Sequence, residues 1–308
     1  MLDFSWFKFR RQENRKPAMS SSFTRLVRFL AADGQTYYGD AILPSGETDL
    51  VKTKQARIIE GSIFGNYKIT NKIVDIKRLL TPLALEDVRT VRCLGLNYEK
   101  HARESNLPLP EYPVLFYKPV TSLTGPLDPI PVHAQAQVGE GLDYEGEMVV
   151  VIGKPCSDVS ESEALDYILG YAVGNDVSHR DWQLKYGGGQ WGIGKGFDGW
   201  GPFGPGIVSN KVIGNPQSLR ISTKVNGKTV QDDSTDDMIF GIAKSIAFLS
   251  MGTTLLPGDV IFTGTPSGVG MGMSPQCWLK DGDVVEVSLE NVGTVSNTVR
   301  FDKPTSKL

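Results

Sequence analysis

The chain has 308 residues, enough to bury a substantial core in one large domain or in a large and a small one. Charged residues make up 22% and apolar ones 40%, and the net charge of −3 argues against nucleic acid or an anionic membrane surface as the main partner. No run reaches the roughly 18 apolar residues of a membrane span. The three cysteines, Cys93, Cys156 and Cys277, are too scattered for a zinc site or a disulfide framework, which points to a reducing compartment.

Residues 1–22 read as an extension outside the fold. Phe4, Trp6, Phe7 and Phe9 alternate with Lys8, Arg10, Arg11, Arg15 and Lys16. This is a mitochondrial presequence, which Asp3 and Glu13 speak against, or a disordered extension, or an upstream start with Met19 as a second initiator. Residues 23–88 read as a small α+β domain, with Asp33-Gly34 as a hairpin turn and a returning strand from Thr36. A larger domain runs over 89–308, and its many Gly and Pro turn signals predict a β-rich chain.

Val91 to Gly95 opens that domain as a strand, and the polar run from Asn97 to Glu104 suits a short helix. His101 and Glu104 are three apart, hence on one helix face. A carboxylate beside imidazole fixes its tautomer and raises its basicity, as a general base requires, although a surface His–Glu pair has the same spacing. Pro108, Pro110 and Pro113 frame a loop suited to a lid, and Val114 to Lys118 is a strand with a lysine at its end.

Leu142 to Gly153 reads Leu-Asp-Tyr-Glu-Gly-Glu-Met-Val-Val-Val-Ile-Gly. The β-branched run predicts a buried strand, and Glu145 and Glu147 stand just before it. Positions two apart on a strand share a side, so two carboxylates project together with only Gly146 between them. Like charges beside a core need a cation, and hard oxygen ligands suit Mg²⁺, Mn²⁺ or Ca²⁺. The alternative is a solvated edge strand with two surface glutamates.

Ser160 and Glu163 predict a capping box and a helix through Leu169, closed by Gly170. Asp176 then stands as a third acid just past a strand, and Arg180 and Gln183 are spaced to reach a bound anion. His179 and Asp181 read as local capping groups. In the glycine-rich stretch from Gly187, Lys195 is a single fixed cation with Asp198 near it, placed to neutralise an enolate or a substrate carboxylate. Asn226-Gly227 is a hairpin turn. Ser234 to Met251 reads as the best helix of the chain, with an apolar stripe of Met238, Ile239, Ile242, Ile246 and Leu249. Thr263-Gly-Thr265-Pro is a small-residue loop able to cup a carboxylate with N–H groups and hydroxyls.

Five stretches, in this order, resemble the fumarylacetoacetate hydrolase superfamily over about residues 90–300. They are Gly-Leu-Asn-Tyr-x-x-His101-x-x-Glu104, Tyr-Glu145-x-Glu147, Asn-Asp176-Val-x-x-Arg180-Asp-x-Gln183, Gly-Lys195-Gly-Phe-Asp198 and Thr263-Gly-Thr265-Pro. The resemblance implies an α+β, β-rich fold, a mixed β-sandwich or β-roll, in a homodimer. It implies that Glu145, Glu147 and Asp176 hold Mg²⁺ or Mn²⁺ (Ca²⁺ in vitro), and that His101 and Glu104 form an acid–base dyad on a lid helix. Lys195, with Arg180, Gln183 and Thr265, would bind or polarise a small 2-oxo or diketo acid. Val91 to Asn97 lacks the further aspartate ligand of fumarylacetoacetase itself, which sets the chain apart from tyrosine breakdown. Gln190-Trp191 and the Gly-Pro-Phe-Gly-Pro run look most like the eukaryotic branch associated with oxaloacetate keto–enol tautomerisation.

The shared chemistry implied is a metal-bound enolate of a 2-oxo acid, leading to tautomerisation, to C–C hydrolysis of an acylpyruvate, or to decarboxylation. A catalytically retired metal-binding scaffold is the reading from another class. The compartment expected is mitochondrial or cytoplasmic, with neither nucleic acid nor membrane as partner.

Overall fold

A computed structural model describes residues 22–303, so the expectations for residues 1–21 lie outside the described residues. The body is an eleven-stranded mixed sheet. Ten of its strands run, in spatial order, Thr36–Ile42, Gln55–Gly61, Tyr67–Leu79, Arg25–Ala31, Gly201–Val208, Ile168–Asn175, Gly146–Ile152, Val260–Phe262, Val91–Gly95 and Val114–Lys118. The short Leu123–Thr124 strand pairs beside Gly201–Val208. A second sheet has five strands, in the order Lys228–Ser234, Arg220–Val225, Val284–Leu289, Gly293–Phe301 and Ile130–Val132. The fold is the β-rich, mixed-sheet class expected.

Both faces of the main sheet are covered, which explains the unbroken apolar run at its centre. Met148, Val150 and Ile152 face a core shared with Val285, Val287 and Val295 of the second sheet. Val149 and Val151 face the opposite core, with Phe203, Phe262 and Cys93. Every residue of Gly146–Ile152 is buried, so the solvated-edge alternative for this strand fails.

Three expectations about local structure differ from what is observed. Among the described residues, segment 23–88 holds four strands and only 3₁₀ turns, and its Arg25–Ala31 strand hydrogen-bonds to Gly201–Val208 within the main sheet. The helix expected from Ser160 through Leu169 is a single turn, Glu161–Ala164, and Ile168 already begins a strand. The Ser160 side chain makes no capping bond to a backbone N–H; its hydroxyl meets the Glu163 carboxylate instead. Gly170 closes no helix: a Cβ there would lie 2.4 Å from the Val208 carbonyl oxygen, so glycine admits the neighbouring strand. The long helix expected over Ser234–Met251 is confined to Ile242–Leu249 behind Gly241. Asn97 holds the preceding residues outside the helix: its main-chain oxygen accepts from Ile239 N–H and its side-chain oxygen from Phe240 N–H. The two hairpins form as expected, with Gly34 at φ 82°, and Asn226 and Gly227 at φ 51° and 78°.

Candidate functional site

Antiparallel pairing assembles the acidic centre. Gly146 faces Asn175 in the register of their two strands, so Asp176, one residue beyond, lies beside Glu145 and Glu147. Asp176 N–H donates to the Glu145 carbonyl at 2.8 Å, and Glu145 N–H donates to Asn175 Oδ1 at 3.0 Å. The three carboxylates are buried and offer oxygens all within 4.8 Å of one another. This donor set fits a hard dication: three acids, no soft ligand, and Asp176 Oδ1 buried without a hydrogen-bond partner.

Two buried lysines and an arginine surround these acids. Lys195 Nζ donates to Glu145 Oε2 and Asp176 Oδ2, both at 2.8 Å, and to Ser178 Oγ at 2.6 Å. Lys118 Nζ lies 2.6 Å from Asp176 Oδ1, an ion pair by distance without hydrogen-bond alignment. It donates to the carbonyls of Val177, Lys195 and Trp200. Arg180 Nη1 donates to Glu145 Oε1 at 2.6 Å and to Gln183 Oε1 at 2.9 Å. Its Nε donates to Asp143 Oδ2 at 2.8 Å. Burial alone would raise the Glu145 carboxyl, but Lys195 and Arg180 outweigh it and hold that group well below its usual range. Glu147 behaves oppositely. Burial, then the charges of Asp176 and Glu145, push it well above the usual carboxylate range, which favours its protonated form when no cation is bound.

The dyad stands opposite. His101 and Glu104 lie on the six-residue helix Glu99–Glu104, with His101 Nδ1 3.1 Å from Glu104 Oε2. Glu104 Oε1 accepts the Gly268 N–H at 2.9 Å. A cavity of about 70 Å³ is lined by His101, Glu145, Arg180, Gln183, Lys195 and Thr265, and walled by apolar groups including Leu107, Leu184, Trp191 and Met271. The fold thus gathers six of the nine residues expected at the site into one cavity lining. The other three adjoin it: Glu104 through His101, and Glu147 and Asp176 through Glu145.

Residues 90–300 match the family model described as fumarylacetoacetate (FAA) hydrolase C-terminal. The chain belongs to the fumarylacetoacetate hydrolase family. It is 41% identical to the caffeoylpyruvate hydrolase of Neonothopanus nambi, over 92% of this chain and 96% of that protein. It is 42% identical to the mitochondrial oxaloacetate tautomerase fahd2 of Xenopus laevis, over 72% of this chain and 68% of that one. Among solved structures, the 2-hydroxyhepta-2,4-diene-1,7-dioate isomerase of Mycobacterium marinum superposes with a TM-score of 0.77 at 36% identity. That match covers 91% of this chain and all of the other.

Within this family member, several site contacts depart from the sequence reading. The Thr263–Pro266 loop and its continuation cup the protein's own carboxylates. Gly264 N–H donates to Glu147 at 2.7 Å, Gly268 N–H to Glu104, and Gly270 and Met271 N–H to Asp143 at 2.7 and 3.0 Å. The Thr265 hydroxyl donates to the Gly146 carbonyl at 3.0 Å. Arg180, expected to meet a bound anion, already faces Asp143 and Glu145. Asp198, expected near Lys195, is exposed. Sequence reasoning passed over Asp143, Lys118 and Ser178. Asp143 precedes Glu145 by two positions, so the alternation that singled out the glutamates also reached it. Lys118 ends a strand like any solvated lysine; only its neighbours in space reveal it. No helix of the described residues is long and apolar enough to cross a membrane.

Proposed function

We propose that the chain is a dication-dependent enzyme acting on 2-oxo acids through an enolate, with oxaloacetate keto–enol tautomerisation as its reaction. The observation that carries this reading is the shared cavity: the His101 imidazole, the Lys195 ammonium and Glu145 of the carboxylate cluster border it, with Glu147 and Asp176 beside Glu145.

Glu145, Glu147 and Asp176 would hold Mg²⁺ or Mn²⁺. Such an ion supplies Lewis-acid stabilisation of the negative charge that develops on the C2 oxygen during deprotonation. The remaining work falls to side chains. His101, oriented by Glu104, takes the C3 proton in the keto-to-enol direction and delivers one to C3 in the reverse, while the C2 oxygen gains or loses its proton by exchange with solvent. Lys195, hydrogen-bonded to both Glu145 and Asp176, adds positive charge near the C2 oxygen. Gln183 and Thr265 border the same space, and Arg180 holds Glu145 while presenting its Nη1 edge beside Gln183.

A second reading, hydrolysis of an acylpyruvate, draws on the apolar wall of Leu107, Leu184, Trp191 and Met271, which suits an uncharged acyl tail. The Neonothopanus relative, named a caffeoylpyruvate hydrolase, supports it. In this reading His101 with Glu104 activates water against the C4 carbonyl. Family membership and the mitochondrial relative support a homodimer, in mitochondria in preference to cytoplasm; sedimentation and cell fractionation test those points.

The deciding experiment follows the ultraviolet enol band and pyruvate release together, with Mg²⁺ and oxaloacetate, acetylpyruvate or fumarylacetoacetate. Enol loss from oxaloacetate without pyruvate selects the tautomerase, whereas fumarylacetoacetate cleaved to fumarate and acetoacetate selects the hydrolase. Pyruvate with CO₂ selects a decarboxylase, and pyruvate with acetate selects the hydrolase. Binding of Mg²⁺ and oxalate without turnover on any of these would leave a retired scaffold.

A further inference from the structure

Gly146 joins the two glutamates of the acidic centre, and glycine is the residue with the most backbone freedom. Left alone, it would let the separation of the Glu145 and Glu147 carboxylates drift. Both peptide groups that meet at Gly146 are instead tied down from outside their own strand. Its N–H donates to Gln231 Oε1 at 3.0 Å, and its carbonyl accepts from Thr265 Oγ1 at 3.0 Å. Gln231 Nε2 in turn donates to Thr265 Oγ1 at 2.8 Å, closing the loop of bonds.

Gln231 belongs to the Lys228–Ser234 strand of the five-stranded sheet, 85 residues away from Gly146. It is 1% exposed, and both ends of its amide are used. Oε1 also accepts from Thr223 Oγ1 at 2.7 Å, and Nε2 also donates to the Pro266 carbonyl at 2.8 Å. Gly146 N–H can only donate and Pro266 C=O can only accept, so one amide orientation alone satisfies the set. The absent side chain at 146 makes the approach possible: a Cβ would stand 2.2 Å from Thr223 Oγ1 and 3.1 Å from Gln231 Oε1.

We propose that Gln231 is a positioning residue that reaches across from the second sheet and, with Thr265, sets the spacing of the Glu145 and Glu147 carboxylates to the geometry of a small, octahedral dication. The proposal rests on the dication reading of the preceding subsection. Because Gln231 is neutral, replacing it changes geometry without adding or removing charge. Mg²⁺ demands near-ideal octahedral ligation at about 2.0–2.1 Å, whereas Ca²⁺ accepts longer and less regular ligation. Loosening the Gly146 backbone therefore penalises Mg²⁺ more than Ca²⁺.

The test is calorimetric titration of the chelator-stripped full chain with Mg²⁺ and, separately, with Ca²⁺, in wild type, Gln231→Met and Thr265→Val. Gln231→Met should weaken Mg²⁺ binding by about 10–100-fold, the usual cost of losing an outer support of a metal ligand. The ratio of Mg²⁺ to Ca²⁺ affinity should fall by about tenfold. A residue that merely braces the fold would lower Tm and leave both affinities unchanged in the folded fraction, and that result overturns the proposal. Should Gln231→Met fail to fold, Thr265→Val decides: the same fall in the ratio supports the proposal, and an unchanged ratio overturns it. Wild type that binds neither ion would overturn the dication reading itself, a failure distinct from a variant that binds like wild type.

Discussion

Glu147 lies in one strand of the main sheet, Glu145 just before it and Asp176 just past the strand paired with it, and protein groups on several sides hold the three acids. His101 and Glu104 ride on a helix of six residues followed by a loop, residues 106–113, without a strand or helix of its own. Asn97 anchors the start of that helix through the Phe240 and Thr263 carbonyls, and Gly268 N–H steadies Glu104 near its end. The difference teaches a division of labour. The ion-binding geometry is built into sheet pairing, where errors of position cost most, while proton transfer is entrusted to a short element at the rim of the cavity.

Substitutions on the two sides should therefore fail differently. The largest effect is expected for Glu147→Gln. Its carboxyl is already pushed toward the protonated form, so the amide imitates the ion-free state and the fold should survive. Mg²⁺ affinity should drop by more than about 100-fold, beyond the usual cost of an outer-support loss, and turnover should vanish, with circular dichroism unchanged. Next comes His101→Ala, for which turnover should fall by about 10²–10⁴ while calorimetric Mg²⁺ affinity stays near wild type. Equal losses of turnover and affinity would place His101 among the ligands and erase the contrast between the two regions.

Smaller effects sharpen the contrast within the cavity. Leu107→Ala, on the half-exposed rim, should raise KM for acetylpyruvate more than for oxaloacetate if the apolar wall seats an acyl tail; burying such a side chain is worth about 1.5–3 kcal/mol at most. The smallest effect belongs to Asp198→Ala. Its side chain is exposed, so stability should stay within about 0.5 kcal/mol and turnover should not change. A marked loss there would mean that the glycine-rich segment closes over Lys195 during catalysis.

Sequence alternation carried much of this. Glu145 and Glu147 share a side because strands repeat every two residues, and His101 and Glu104 meet because helices repeat every three to four. Asp176 was legible because it directly follows a strand. What stayed hidden depends on partners far along the chain. Lys118 contacts residues at 176, 177, 195 and 200, so its role as a buried cation has no local signal. Gln231 serves a glycine 85 residues away. The Ser234–Met251 stripe reads as helix throughout, yet Asn97 bonds hold Ile239 and Phe240 in a bend outside the helix, and tertiary contact overrides propensity there. In segment 23–88 the hairpin was readable, whereas its pairing with Gly201–Val208 was not.

The central claim is that three acids at the adjoining ends of two paired strands bind one dication on which turnover depends. Titrating the chelator-stripped protein with Mg²⁺ while following enol decay tests it directly. Binding of one ion per chain, with activity returning in step with occupancy and neither seen in Glu147→Gln, is the expected result. Full activity in excess chelator, or Mg²⁺ binding unaltered in Glu147→Gln, would contradict it.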